Sequence, residues 1–166
     1  MAKTDGNLKA AFAGESQANR KYLAFAKKAE NEGKTGLAKI FRAAAEGETV
    51  HALSHFGVLG EVKESADNLK AAIFGETYEI ETMYPQFVAD SKEESDDEAT
   101  MSFSRALKVE EVHRSLFKDA LTRLESGEDV LDVDYYVCQV CGYPASPSAP
   151  DICPVCGAKK DNFKKV

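Results

Sequence analysis

Absences bound this sequence before any motif does. No apolar run approaches the ~20 residues of a membrane-spanning helix, so no span is expected. No cluster of Lys and Arg stands against the formal net charge of −7, which argues against nucleic acid as a partner. The opening MAKTDGNLKAAFAGES lacks the apolar core of a secretory leader, so the expected address is cytoplasmic. Proline is scarce where it matters: Pro85 alone falls within residues 1–131, leaving room for long helices. The other prolines, Pro144, Pro147, Pro150 and Pro154, crowd the remainder, together with all four cysteines. That shift predicts a domain boundary near SGEDVLDVDYY, with a helical domain over 1–131 and a small metal-binding domain over 132–166. At 43% hydrophobic and 30% charged, the composition is that of a globular chain able to bury one core and a small appendage.

Punctuation divides the first part into four helices. Helix 1 is expected over about 6–32, stopping at NEGKTG, and helix 2 over about 35–60. Helix 3 begins after Ser65 or Asp67, and helix 4 near Ser95. Pro85 should kink or loosen helix 3, because it supplies no amide hydrogen. The charge-rich DSKEESDDEAT over 90–100 reads as a solvated turn between helices.

The inward stripes carry the chemistry. At helical spacing they run Leu8, Phe12, Glu15, Tyr22, Phe25 in helix 1 and Leu37, Phe41, Glu48, His51, His55 in helix 2. Helix 3 gives Ile73, Glu76, Glu79, Met83, Phe87, and helix 4 gives Phe103, Glu110, His113, Phe117, Leu124. No Lys or Arg lies on any stripe. Glutamates gathered in a core without a cation repel one another and lose their hydration. The missing positive charge must come from outside the sequence, and a metal is the simplest source.

Two Glu-x-x-His pairs, Glu48/His51 and Glu110/His113, place both side chains of each pair on one helix face. Glu15 and Glu76 supply one carboxylate each from the other two helices, completing the pattern of a dinuclear carboxylate bundle. Oxygen-rich ligation suits iron or manganese better than zinc. Glu79 is a fifth carboxylate facing the site, or else an exposed helix charge. His55 reads as an imidazole behind the ligands. Tyr22 and Tyr84 either pack in the core or offer a phenol to a ligand carboxylate or to substrate.

In the tail, C-x-x-C-G-Y and C-P-x-C-G place Cys138, Cys141, Cys153 and Cys156 around one metal. The glycines that follow let backbone amides bend toward the sulfurs. Tetrahedral sulfur suits zinc and iron alike.

The segments FAGESQANRKY, GETYEIETMYP, EEVHRSLF and YVCQVCGY…DICPVCGA stand in the order found in the rubrerythrin family, which the chain resembles over nearly its whole length. The resemblance implies a mainly α fold, a ferritin-like four-helix bundle with two non-haem irons, followed by a rubredoxin-like Fe(Cys)4 domain. It implies a peroxidase that reduces hydrogen peroxide to water in oxidative-stress defence. An NAD(P)H-linked reductase or a rubredoxin would feed electrons through the tail. It assigns Glu48 and Glu110 as bridges, Glu15 as terminal on one iron, and Glu76 and His113 as terminal on the other. Glu79 and His51 would alternate on the first iron, the carboxylate when oxidised and the imidazole when reduced.

Two other functions fit the same residues: an iron-oxidising storage or handling protein, and a non-enzymatic module with zinc in its tail. A further expectation concerns assembly. In a ferritin-like bundle helices 2 and 3 run parallel, so their link must travel about 30 Å, the sum of ~15 Å from the site to each helix end. The six or so residues available reach about 20 Å. Helices 1–2 of one chain are therefore expected to pair with helices 3–4 of another in a domain-swapped homodimer, the alternative being an up-down-up-down bundle within one chain.

Overall fold

The computed structural model describes residues 3–166. The chain forms two compact units, Met1–Lys63 and Glu64–Val166.

The first unit is a helical hairpin of α1 (Lys3–Asn31) and α2 (Thr35–Val58). Gly33, at φ 73°, makes the left-handed turn between them, and the Lys34 amide reaches back to the Ala29 carbonyl. The helices meet on alanines: Ala26, Ala29, Ala38, Ala45 and Ala52 are all buried. Such small side chains let the backbones approach closely. Asn19 is buried in the same seam and ties the helices together. Its Nδ2 donates to the Ala45 carbonyl at 2.7 Å and to Thr49 Oγ1 at 2.8 Å. Phe12 stacks on Phe56 with centroids 4.8 Å apart, and Phe25 meets Phe41 edge-on at 5.5 Å.

The second unit begins with α3 (Ser65–Tyr78), a π turn (Glu79–Met83) and α4 (Tyr84–Glu93), then turns into α5 (Asp97–Glu125). The irregularity expected at Pro85 lies just before it. The Tyr84 amide bonds the Glu79 carbonyl five residues back, and Pro85 sits in the first turn of α4, where an amide hydrogen is not required. The expected turn over 90–100 is smaller than its charge predicted. Only Glu94–Asp96 leave the helices, because Asp96 caps α5 by accepting from the Ala99 amide at 2.9 Å. Behind the turn, Ser91 and Thr100 share a hydroxyl hydrogen bond at 2.8 Å. The other predicted helix ends fall within a few residues of those observed.

The tail folds as a three-stranded antiparallel sheet in the order β2–β1–β3, with β1 at Tyr136–Cys138, β2 at Pro144–Ala145 and β3 at Phe163–Lys165. Cys138 pairs with Phe163 in register, anchoring the first cysteine knuckle to the sheet. Among the described residues no helix is long and apolar enough to cross a membrane.

Several stripe residues expected in a core stay open. Phe25, Leu37, Phe87 and Leu124 are 48%, 42%, 39% and 41% exposed. In the α1–α2 hairpin the alanine seam covers one face of each helix, and the next face round remains uncovered.

Candidate metal centres

Among the described residues, three groups of side chains bring their donor atoms within 4.8 Å of one another: Glu15, Glu48 and His51; Glu76, Glu110 and His113; and the four cysteines. The first two repeat one plan. A Glu-x-x-His pair occupies one turn of a helix, and a single glutamate comes from the neighbouring helix. In the α1–α2 unit, His51 Nδ1 lies 3.0 Å from Glu48 Oε2. In the α3–α5 unit, His113 Nδ1 lies 2.6 Å from Glu110 Oε2. Spacing of three residues on a helix brings the two side chains to the same point, as the sequence predicts.

Electrostatics in the second group are those of a crowded acid cluster. The Glu76 carboxyl is pushed up to about 7, first by burial and then by the negative charge of Glu110. Glu79 stands outside the three-residue group but senses it, its carboxyl raised by burial and by Glu110. Burial also raises the Tyr84 phenol, with Glu110, Glu79 and Glu76 adding to the effect, so Tyr84 stands beside this group. The hydrogen bond to Glu110 favours the protonated His113 imidazole. Tyr22 sits instead among aromatic rings, 6.3 Å from both Phe25 and Phe41. His55 is half-buried and belongs to none of the three groups.

Both kinds of site fit a metal. Glu76 Oε2 is buried and has no hydrogen-bond partner, the state of a carboxylate oxygen that needs a cation. In the tail, the Cys138 and Cys156 sulfurs stand 3.7 Å apart, and those of Cys141 and Cys153 3.6 Å. A disulfide would hold sulfurs at about 2.05 Å, whereas a tetrahedron with bonds of about 2.3 Å has edges of about 3.8 Å. Gly142 and Gly157, at φ 88° and 75°, turn each knuckle. The amides of Tyr143 and Ala158 then point at the sulfurs of Cys141 and Cys156, and those of Val155 and Cys156 at Cys153. Burial still holds the Cys141 thiol high, while the two amides lower that of Cys153.

Sequence reasoning passed over Asn19. It is a polar residue four positions after Glu15 on the same helical face, and that spacing was the signal available.

Comparison with known proteins agrees with both site types. The profile of the family "Rubrerythrin" matches residues 6–121, and that of "Rubrerythrin, rubredoxin-like domain" matches residues 136–164. Rubrerythrin-2 of Clostridium acetobutylicum is 35% identical, over 98% of this chain and 96% of its own length. Rubrerythrin of Porphyromonas gingivalis is 34% identical over 99% and 90%. Nigerythrin of Nitratidesulfovibrio vulgaris is 32% identical over 98% and 86%. The solved structure of fully reduced nigerythrin aligns with 100% of this chain and 88% of its own, at a TM-score of 0.58 and 31% identity. The fold is mainly α, ferritin-like helices followed by a rubredoxin-like domain, and the donor sets correspond to a di-iron site and an Fe(Cys)4 site. With its matched profiles, its full-length relatives and both iron-binding donor sets, the chain belongs to the rubrerythrin family of iron oxidoreductases.

Proposed function

We propose that this protein is a peroxidase that reduces hydrogen peroxide to water, with electrons relayed through the cysteine domain from a protein donor such as a rubredoxin or an NAD(P)H-linked reductase. The observation that carries the reading is the pairing of two Glu/Glu-x-x-His groups with a four-thiol site on one chain. When loaded, the iron pair supplies two electrons together for O–O cleavage, while the four-thiolate iron passes them singly. Glu48 and Glu110, together with Glu15, Glu76 and His113, would hold the pair. Glu79 and His51 would be the two alternative ligands of the remaining position. Tyr84 offers its phenol to the ligands or the substrate, standing beside Glu110, Glu79 and Glu76, while Tyr22 packs against Phe25 and Phe41. The functional domains divide at 131/132.

The two groups belong to different compact units, and we place them in one dinuclear centre. Glu48 lies ten residues before Val58, where α2 ends, and Glu76 lies eleven after Ser65, where α3 begins. At about 1.5 Å per residue, a parallel arrangement around one centre needs a link of about 30 Å. Residues 59–64 reach about 20 Å. The centre is therefore composite, with α1–α2 from one chain and α3–α5 from a second in an exchanged dimer. The exposed Phe25 and Leu37 on the α1–α2 hairpin support a second copy as their cover.

Two experiments test this. The protein is reduced anaerobically and mixed in a stopped-flow cell with peroxide or with oxygen. One peroxide consumed per two electrons, faster than the reaction with oxygen, supports the peroxidase. Preferential oxygen use with accumulation of ferric iron favours iron handling, and a colourless tail marks zinc. Co-refolding Glu15→Ala with Glu110→Ala chains tests the exchange. An exchanged heterodimer regains one complete centre, whereas unrecovered activity in demonstrated heterodimers sinks it.

A further inference from the structure

Asn19, in the α1–α2 seam, keeps one polar atom unsatisfied. The residue is only 6% exposed. Both hydrogens of its Nδ2 are used, one on the Ala45 carbonyl and one on Thr49 Oγ1. A carbonyl only accepts, so the bond to Ala45 fixes which end of the amide is nitrogen and which is Oδ1. Among the described residues, Oδ1 is buried and has no hydrogen-bond partner. The neighbouring hydroxyls spend their hydrogens elsewhere: Ser16 donates to the Phe12 carbonyl at 2.7 Å, and Thr49 to the Ala45 carbonyl at 3.2 Å. A buried acceptor left bare is unfavourable, so Oδ1 calls for a donor. Beside it lies a cavity of about 180 Å³, lined by Ser16, Asn19, Arg20, Glu48 and Thr49 among others. That is room for several waters, in polar surroundings that suit them.

The place of this amide along the helices gives it a second role. Asn19 stands four residues, about one turn, after Glu15 on α1. Its acceptors on α2 bracket Glu48: Ala45 comes three residues before it, and Thr49 is the next residue. One amide thus ties the turn that carries Glu15 to the turn that carries Glu48. We infer that Asn19 is a positioning residue for the Glu15/Glu48 group, its nitrogen holding the two glutamate-bearing turns in register and its oxygen holding a water that bridges to the Glu48 carboxylate. The inference rests on the reading above that Glu15 and Glu48 take iron. A water has two hydrogens to give, and Oδ1 and an ionised carboxylate are both acceptors only. A carboxylate restrained in this way has fewer orientations to lose when an ion binds. An amide with a purely structural part would steady the hairpin and leave ion affinity alone.

Bundle-iron affinity of the full chain, read anaerobically by competition with a ferrous chelator, separates the two. Asn19→Leu keeps the bulk and loses both roles, and it is expected to weaken the bundle site at least ~10-fold. Ala38→Gly changes the same seam ten residues before Glu48, about 15 Å away. It should lower the thermal midpoint while leaving iron affinity within about twofold of wild type. Wild-type affinity in Asn19→Leu overturns the inference, and so does an equal loss in Ala38→Gly. If Asn19→Leu does not fold, Thr49→Val and Thr49→Ser carry the test. Valine should weaken iron binding and serine should restore it, whereas a valine variant that binds like wild type overturns the inference. A wild-type chain that takes no iron in the bundle sinks the metal reading itself, an outcome distinct from equal binding by variant and parent. For the water, a crystal structure of the iron-loaded chain should show one within hydrogen-bond distance of both Asn19 Oδ1 and Glu48. An Arg20 guanidinium seated on Oδ1 instead overturns the bridge.

Discussion

The two glutamate–histidine groups share a motif and differ in their surroundings. In the α1–α2 unit the His51 side chain is 60% exposed, and its bond to Glu48 is 3.0 Å. In the α3–α5 unit His113 is 33% exposed and its bond to Glu110 is 2.6 Å. The second group also has Glu79 and Tyr84 beside it and a buried, unpartnered oxygen on Glu76. Identical spacing thus yields one open, lightly held imidazole and one confined by neighbours. The difference teaches that the motif sets where a ligand points, while packing sets how enclosed it is.

The harshest way to break this comparison is to remove a proposed bridge. Glu110→Ala is expected to lose bundle metal almost completely and peroxide reduction with it, and metal analysis of the purified variant is the check. Unchanged bundle iron would remove Glu110 from the ligand set.

Paired histidine variants sharpen it. His113→Ala should weaken bundle-metal affinity at least ~10-fold, since even partners behind the ligands are worth that much. His51→Ala should still bind oxidised iron, yet react more slowly with peroxide once reduced. Equal losses of affinity in the two would abolish the distinction drawn above.

Proton linkage separates the units in the metal-free chain. Glu76 titrates near 7 in the fold, against 4.5 for a free carboxyl, so folding favours its protonated form. Its contribution is complete below about 4.5 and is lost as pH rises through about 7. His113, also raised, acts in the same sense. Urea midpoints should therefore fall across that window, with amide exchange quickening in α3 and α5, and metal loading should flatten the fall. A midpoint that rises with pH would contradict the acid-cluster account.

The smallest effect belongs to helix ends. Asp96→Ala removes the side-chain cap of α5 and should cost about 1 kcal/mol. The Lys34 side chain makes no such capping bond at the start of α2. Lys34→Ala should therefore change little by this mechanism, and chemical denaturation measures both.

Much of this was legible in advance for a physical reason. A Glu-x-x-His spacing fixes two side chains on one face whatever the helix packs against, and a C-x-x-C-G knuckle closes on itself. Both are local geometry. Asn19 was harder, because an amide reads as neutral until Ala45 and Thr49 arrive from another helix to accept from it. The contact of Gly142 with Val109 had no signal at all, since it depends on how a separate sheet lies on α5. The π turn was half visible: Pro85 announced trouble, but where the extra width would sit depended on tertiary packing.

That wide turn carries one spare residue. A π turn within an α-helix is equivalent to a single inserted position, absorbed locally so that everything downstream keeps its phase. Tyr84 and Phe87 use that phase to meet Phe103, at 6.4 and 5.4 Å. Deleting one residue inside 79–83 should let the helix close into ordinary turns and leave those contacts aligned. The same deletion elsewhere in α3 should rotate the following residues by roughly 100°. Between Glu79 and Met83, then, the chain has a site where its length can change by one without the aromatic packing losing register.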